Sequence, residues 1–589
     1  MHGRGQSIGC HWWDACNTSE VQASPSKALP APGTLATVTI HPSTRNLIHV
    51  ILKNPRFVDG LALAAVAVIG LVAARQLLLP GFPPGVDTPT FLHLSWFTRE
   101  TLQGAGGWVD PYWYGGFRPF TTYPPLSYSL VGALAAVPGV GFVFVYKTVL
   151  LAAYVGTGIA TYFLARQLGN ARSWSALAAV LTVLAYPLMV AVGLWGWFSS
   201  VVALPLALMA LAFLERAYSG GRIRWAVAGG VALGLSVLAH HMTAFAFALG
   251  LPGWFLFCYL GHSVPRRHLY RVTALFSLAT VASIIWWVVP WAINLIEAGF
   301  QRETPGLWSF PVAHYFSAIT QRELIGLYAY PNYLGFGLIA LAIGGVVQSF
   351  LVPSRLTPYA ILLVVLVAFS LGEQGNPLLR VRPLDGVDVA RFQLYMAPVI
   401  ALVGVPFLAS AGAAVVALTR LRRPPAWLPG AVSGLLVALV LGQAVWDGAV
   451  ASQRLFRPYK VTTATQQALD WFGQEEHQGK VLGVGFWHWD DFLLPYYLRR
   501  AVVDGWHDEG DRNWRTVRVL RIMMWNGKVD VPQAYQLLGE LEGQYVAVQD
   551  YFTGESPVIF RAALDEHPEL FSKVADWGEV TVYERVPKR

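Results

Sequence analysis

Charge is scarce in this chain. Of its 589 residues only 13% are charged, against 55% apolar and 13% aromatic, and the mean hydropathy is +0.46. Soluble domains carry about 25% charged residues, so a soluble protein of this length is excluded and a membrane protein is implied. Cysteine is nearly absent too. Cys10, Cys16 and Cys258 form no even set and no CxxC pair, which leaves no basis for a disulfide framework, a zinc site or redox chemistry. The first 45 residues lack the apolar core of a signal peptide. They are polar and rich in Gly, Ser, Pro and Thr, the composition of a disordered tail, which we assign to the cytoplasm. Nucleotide motifs are missing as well: Gly483-Val484-Gly485 follows a strand-like run but has no third glycine and no GK[ST]. The net charge of +8 does not indicate nucleic acid, because the basic residues sit in short turns between apolar runs.

What the chain has is long apolar runs. A span needs roughly 20 apolar residues, and eleven candidates lie at about 57–79, 141–166, 174–192, 198–216, 225–240, 243–261, 272–294, 331–352, 358–372, 391–418 and 428–446. The fold class is therefore a polytopic α-helical membrane protein of about eleven transmembrane helices. A twelfth apolar segment, 124–138, is read as a juxtamembrane or re-entrant helix. If it crossed, Arg166/Arg172, Arg216/Arg222/Arg224, Arg266/Arg267/Arg271 and Arg420/Arg422/Arg423 would all fall outside; with eleven spans they join Lys53 and Arg56 in the cytoplasm, as positive-inside bias requires. That topology puts the N-terminus in the cytoplasm and the long loops 80–140, 295–330 and 373–390 outside. From about 447 charge returns and strand-like runs (480–486, 544–549, 580–584) alternate with helical ones, so 447–589 reads as an extracytoplasmic α/β domain after a transmembrane domain at 46–446.

Several residues on the outer side carry chemistry. Asp87 stands in Gly85-Val86-Asp87-Thr88-Pro89. Pro89 suits a first helical turn, with Thr88 as the N-cap and the Asp87 carboxylate outside the helix and available for chemistry; the plainer reading makes Asp87 itself the cap. The helix from Phe91 to Gln103 alternates Phe91, Leu94, Phe97 and Leu102 with Arg99, Glu100 and Gln103, a pattern for lying in the interface. His240 and His241 end an apolar hairpin, where ionisable groups usually face a cavity or a partner. Arg391 opens a span after Arg380, Arg382, Asp385 and Asp388, a depth at which a guanidinium either captures phosphate or anchors the helix. Lys147, Arg118, Tyr123 of Tyr123-Pro124-Pro125-Leu126, and Arg302-Glu303 are further candidates for binding substrate at the same place. Trp195, Trp197 and Phe198 read first as an interfacial aromatic belt and second as a sugar platform. Trp487-His488-Trp489-Asp490-Asp491 and Asp504, His507, Asp508 and Glu509 could form a cation or sugar site, but they match no metal spacing and default to a solvated surface. No cofactor is called for, and a divalent cation has no motif to hold it.

The order of these features, an Asp in the first outer loop, an amphipathic helix, a Tyr-Pro-Pro-Leu helix, a His-rich hairpin, an outer Arg391-Phe392 before a late span and a C-terminal α/β domain, resembles the GT-C membrane glycosyltransferases over about 57–589. More narrowly it resembles the membrane proteins labelled as related to 6-pyruvoyl-tetrahydropterin synthase, although no pterin-type site is present. The resemblance implies a plasma-membrane enzyme that takes a sugar from a polyprenyl-phosphate donor, entering sideways from the bilayer, and passes it to a glycan, lipid or protein acceptor, with no nucleic acid involved. Asp87 then takes the role of the first-loop acid. The Asp-Glu pair of protein mannosyltransferases is missing, since Val86 and Thr88 flank a single Asp, and the Trp-Trp-Asp signature of oligosaccharyltransferases occurs only as Trp12-Trp13-Asp14 in the tail. The residue chemistry agrees: such transfer needs a base (Asp87), cations for the departing phosphate (Arg391 with His240 and His241) and a surface that admits the lipid (88–138). A single displacement would invert the anomeric carbon. The alternatives are a transporter or flippase of a lipid-linked substrate, for which paired broken spans are not evident, and a non-catalytic envelope assembly protein.

Overall fold

The computed structural model describes residues 54–261, 264–298, 312–320, 333–381, 384, 387–418, 425–485, 489–505, 513–526, 528–549 and 555–587. The proposed tail at 1–45 lies outside them, as do Arg302 and Glu303.

Over its described residues each of the eleven apolar runs is mostly helical. Among the described residues seven helices are long and apolar enough to cross a membrane: Pro55–Ala73, Phe142–Gln167, Phe198–Gly220, His241–Gly261, Arg266–Asn294, Val389–Val415 and Leu428–Leu455. An eighth is a pair, Arg172–Val183 and Tyr186–Trp195, bent by 41°. The remaining three runs are the shorter helices Arg224–Ala239, Gly335–Leu351 and Thr357–Ser370. The segment read as non-crossing is the ten-residue helix Leu126–Ala135. At 1.5 Å per residue it reaches about 15 Å, half the hydrocarbon thickness.

The clusters Arg166/Arg172, Arg216/Arg222/Arg224 and Arg266/Arg267/Arg271 lie at one end of the bundle, while Lys53 and Arg420/Arg422/Arg423 lie outside the described residues. Asp59 accepts from Arg172 at 2.8 Å and from Tyr162 at 2.5 Å, which ties the start of the first span to the end of Phe142–Gln167. Glu215, buried near the end of Phe198–Gly220, accepts from Arg355 at 2.5 Å and from Trp254 at 2.8 Å, and His268 sits 3.1 Å from the Ala217 carbonyl. Phe142–Gln167 and Phe198–Gly220 start together at the opposite end, where Tyr146 stacks on Phe198 at 4.4 Å. That end holds the loop 80–140.

The Thr88–Leu102 helix differs from its expected place. From Thr88 to Thr98 and at Glu100 it is buried, not half exposed at an interface, because it packs between the Leu126–Ala135 helix and the Asp490–Leu498 helix of the C-terminal unit. Arg499 bonds Glu100 at 2.7 Å and covers the Trp96 ring at 4.6 Å. Alternation of polar and apolar residues signals two environments; the second environment here is protein.

The last long helix runs to Leu455, beyond the expected 446. After it come the Thr463–Phe472 helix and a four-stranded sheet: β1 (Lys480–Val484), β2 (Gly543–Gln549), β3 (Phe571–Asp576) and β4 (Val580–Arg585). The order is β1-β2-β4-β3, with β1 parallel to β2 and the other pairs antiparallel. Helices Trp514–Asn526, Val531–Glu540 and Glu555–Asp565 connect and cover it, an α/β arrangement. Phe82 pairs with Tyr459, and Val502 donates to the Tyr112 carbonyl at 2.8 Å, so the first loop is stitched into this unit.

Candidate functional site

Asp87 is placed by backbone. It occupies the cap position before Thr88–Leu102, yet its side chain makes no capping bond; Thr88, expected as the cap, is the first helical residue and donates its hydroxyl to the Pro84 carbonyl at 2.6 Å. The loop is held by the widened π turn Ala191–Trp195. A π turn releases carbonyls from the regular ladder, and two of them receive the loop: Val86 N–H donates to Leu194 at 2.9 Å and Asp87 N–H to Trp195 at 2.8 Å. The approach is so close that a Cβ on Gly196, which has φ 66°, would lie 2.4 Å from the Thr88 hydroxyl, and one on Gly85, φ 119°, 2.5 Å from Gly196 Cα. Only glycine fits both positions.

The carboxylate faces Arg391, whose Nη2 lies 3.7 Å from Asp87 Oδ2. The rest of that guanidinium is shared. Nε donates to Asp388 at 2.6 Å, Nη1 donates to Ser200 Oγ at 2.9 Å, and the plane lies 4.7 Å from the Trp197 ring centre. Asp388 also caps the short turn leading to Arg391 by accepting from Ala390 N–H. Three segments far apart in sequence thus meet on one arginine.

His240 joins them with its Nε2 3.4 Å from Arg391 Nη1. It breaks the hairpin in an extended conformation and its Nδ1 accepts from Thr243 N–H at 3.2 Å, as an N-cap. A neutral ring accepting there carries its proton on Nε2. Nε2 lies 3.4 Å from both Arg391 Nη1 and Ser200 Oγ: in the tautomer with a bare Nε2 it accepts from the arginine, and in the other it donates to the hydroxyl. One nitrogen of His240 therefore serves the fold, which suits a positioning group better than a proton carrier. His241 lies beside it, rings 5.7 Å apart.

Of the other expected residues, Tyr123 reaches the cluster: it is buried, with its ring 6.4 Å from His240 and 5.8 Å from Phe91. Lys147 is engaged elsewhere, donating to the Leu79 carbonyl at 2.6 Å. Arg118 is exposed, and its carbonyl accepts from Thr122 at the start of the Pro119–Thr122 turn. Trp195 and Trp197 are buried and stacked on each other at 5.8 Å, so they wall the site and form no lipid-facing belt. Sequence reasoning missed Ser200, whose only signal is a hydroxyl at the start of an apolar span, and passed over Asp388, three residues before Arg391.

The C-terminal acids also differ from expectation. Asp490, Asp491 and Asp504 are buried, not a solvated face; Trp487, His488, His507, Asp508 and Glu509 lie outside the described residues. Arg521 grips Asp504 with Nε at 2.8 Å and Nη2 at 2.5 Å, and Trp113 from the first loop donates to the Asp491 carbonyl at 2.8 Å. Burial, with Asp504 adding to it, pushes the Asp490 carboxyl up to about 7; burial and the neighbouring Asp490 and Asp504 push Asp491 well above the carboxylate range. Beside them His93 meets Asp110 at 2.5 Å, both fully buried, with Trp113 stacked on the imidazole at 4.2 Å. Among the described residues no group of three or more His, Cys, Asp and Glu is arranged to hold a metal ion.

The same architecture occurs in solved structures. The archaeal oligosaccharyltransferase AglB from Archaeoglobus fulgidus, in complex with an inhibitory peptide and a dolichol-phosphate, is 14% identical, with a TM-score of 0.52 over 83% of this chain and 69% of that one. The arabinofuranosyltransferase AftD from Mycobacteria is 16% identical, with a TM-score of 0.56 over 89% of this chain and 40% of that one, so the chain spans about two fifths of its length. ArnT from Cupriavidus metallidurans in the apo state is 15% identical, with a TM-score of 0.54 over 92% of this chain and 98% of that one. These are GT-C glycosyltransferases, and at such identities the likeness shows the fold alone. No protein-family model and no curated protein sequence matches the chain.

Proposed function

We propose that this chain is a GT-C-type membrane glycosyltransferase that moves a sugar from a polyprenyl-phosphate donor to an acceptor hydroxyl on the outer face of the plasma membrane. The observation that carries the reading is the meeting of Asp87, Arg391, Ser200 and His240, from four separate segments, at the bundle end opposite the arginine clusters. In this reading Arg391 receives the donor phosphate. Its Nε and Nη1 are held by Asp388 and Ser200, which leaves the Nη2 edge, where Asp87 stands 3.7 Å off, as the side a phosphate oxygen takes. Asp87, displaced from that edge, accepts the acceptor's proton as its oxygen bonds the anomeric carbon and the carbon–phosphate-oxygen bond breaks. The charge left on the phosphate is met by the guanidinium, a preorganised cation in a site shielded from water. His240, in contact with both Ser200 and Arg391, orients the pair.

The fold shared with AglB, whose complex contains a dolichol-phosphate, supports a lipid-linked donor. The arginines at the far end support an N-terminus in the cytoplasm and an extracytoplasmic unit after the last span. The order of motifs supports a place near the group labelled as related to 6-pyruvoyl-tetrahydropterin synthase. The test is purified full-length protein in nanodiscs, given polyprenyl-phosphate sugars and candidate acceptors. Release of sugar-free polyprenyl phosphate by the wild type and its loss in Arg391→Gln is the expected result. A chain that moves intact donor between leaflets without cleaving it is a transporter, and the reading falls.

A further inference from the structure

Beyond Arg391 the site continues along one face of the Arg266–Ala298 helix. Trp287, Trp291 and Asn294 recur at i, i+4 and i+7, so they share that face. Asn294 donates to Thr122 at 3.4 Å, which docks the helix beside Tyr123. Trp291 lies 6.2 Å from the His241 ring, and Trp287 stacks on Trp291 at 5.6 Å and 25°. From Arg391 the order is therefore His240, His241, Trp291, Trp287. Three polar atoms in this row are buried without a hydrogen-bond partner: Nδ1 of His241 and Nε1 of both tryptophans. Trp287 is only 2% exposed. A buried indole N–H finds a partner in most proteins, and leaving one unpaired costs about 1–3 kcal/mol. Three together, side by side and next to a proposed phosphate-binding arginine, have the character of a surface completed by a ligand.

We propose that Trp287, Trp291 and His241 form the subsite for the sugar ring of the lipid-linked donor, an inference that rests on the function proposed above. The chemistry of the row selects a saccharide. Two indole N–H groups donate and stacked aromatic faces cover the C–H side of a ring, while hydroxyls both accept from the indoles and bond the imidazole. A prenyl chain would satisfy none of the three polar atoms. A second phosphate would use the donors but gain nothing from the stacked faces.

The test uses full-length protein in nanodiscs and three probes: farnesyl phosphate and its mannosyl and arabinofuranosyl esters. In the wild type at least one ester binds more tightly than farnesyl phosphate. Trp291→Phe keeps the aromatic ring and removes the N–H; it should cut that advantage about 3- to 10-fold, the worth of one hydrogen bond, and leave farnesyl phosphate binding unchanged. Trp287→Phe is expected to act in the same direction. The subsite is overturned if neither ester binds more tightly than farnesyl phosphate in the wild type, if both phenylalanine variants retain the full advantage, or if they weaken farnesyl phosphate by the same factor. Absence of any farnesyl phosphate binding by the wild type is a different failure: it removes the phosphate role of Arg391 and takes the subsite with it.

Discussion

Two arginines in this protein, Arg521 buried and Arg391 partly buried, answer carboxylates in opposite ways. Arg521 spends its fork on one partner, with Nε and Nη2 both on Asp504, and adds Tyr114 Oη at 2.9 Å and the Gly505 carbonyl. Arg391 divides itself among Asp388, Ser200 and Asp87 on three different segments, and its contact to Asp87, at 3.7 Å, is longer than a hydrogen bond. A bidentate pair closed by further acceptors is a fixed joint; here it joins the first loop to the C-terminal unit. An arginine whose third edge meets a carboxylate only loosely can exchange that carboxylate for an anion. The same side chain makes a seam in one place, where it is buried, and a candidate active site in the other, where it is partly open.

The largest effect should come from the loose contact. Asp87→Asn removes the proposed base, and a positioned base contributes about 10²- to 10⁴-fold, or 3–5 kcal/mol of barrier. Because a carboxylate beside Nη2 competes with phosphate, the same variant should bind polyprenyl phosphate more tightly than wild type. Retention of more than about a tenth of wild-type turnover would make Asp87 structural, and weaker lipid-phosphate binding would break the competition argument. Arg521→Ala tests the other half of the contrast: stripping one partner from a buried pair costs about 3–5 kcal/mol, visible as faster hydrogen exchange in β1 and the Asp490–Leu498 helix. An Arg521→Ala protein with unchanged exchange there would mean that the fixed joint is not one.

Gly196→Ala comes next. The substitution forces a Cβ into the Thr88 hydroxyl at φ 66°, a strain of about 1–3 kcal/mol. Activity should fall as the Asp87 loop shifts, while exchange in the C-terminal sheet stays as in wild type. An unaffected turnover would remove the π turn from the positioning of Asp87. A smaller effect follows from protonation at the seam. Asp490 binds its proton more tightly folded, with its carboxyl at about 7, than unfolded, near the ordinary 3.8. The stabilisation is therefore full below about pH 4 and is lost as pH rises through about 7. Thermal shifts at pH 6 and pH 8 should show the higher melting temperature at pH 6, and Asp490→Asn should narrow the gap; a melting temperature that rises with pH contradicts the assignment. The smallest change is Arg118→Ala, an exposed residue apart from the cluster, expected within about 0.5 kcal/mol in stability and without effect on turnover.

The helices were legible because burying apolar side chains needs no detailed partner: any run of the right length and hydropathy forms one. Boundaries were less so. The run 174–192 hides a 41° break, which Pro187 at the start of the second piece explains once the bend is seen, and the α/β unit begins only after Leu455. Asp87, His240, His241, Arg391 and Tyr123 were legible as isolated oddities, polar groups next to apolar runs, and the structure brings them together. Lys147 and Arg118 looked equally odd and stand apart, since a polar group near a span end has many ways to be satisfied, among them a single carbonyl.

By itself the sequence determined the membrane character, the helices and the positions where ionisable groups would be costly, all of which depend on local composition and period. Tertiary structure alone decided which of those groups share a site. Ser200 reaches Arg391 across 191 residues and His240 across 151, and the π turn that carries Asp87 lies over a hundred residues further along the chain. Contacts of that range are set by how helices pack, and hydropathy, which records only what each residue avoids, contains nothing about what it meets.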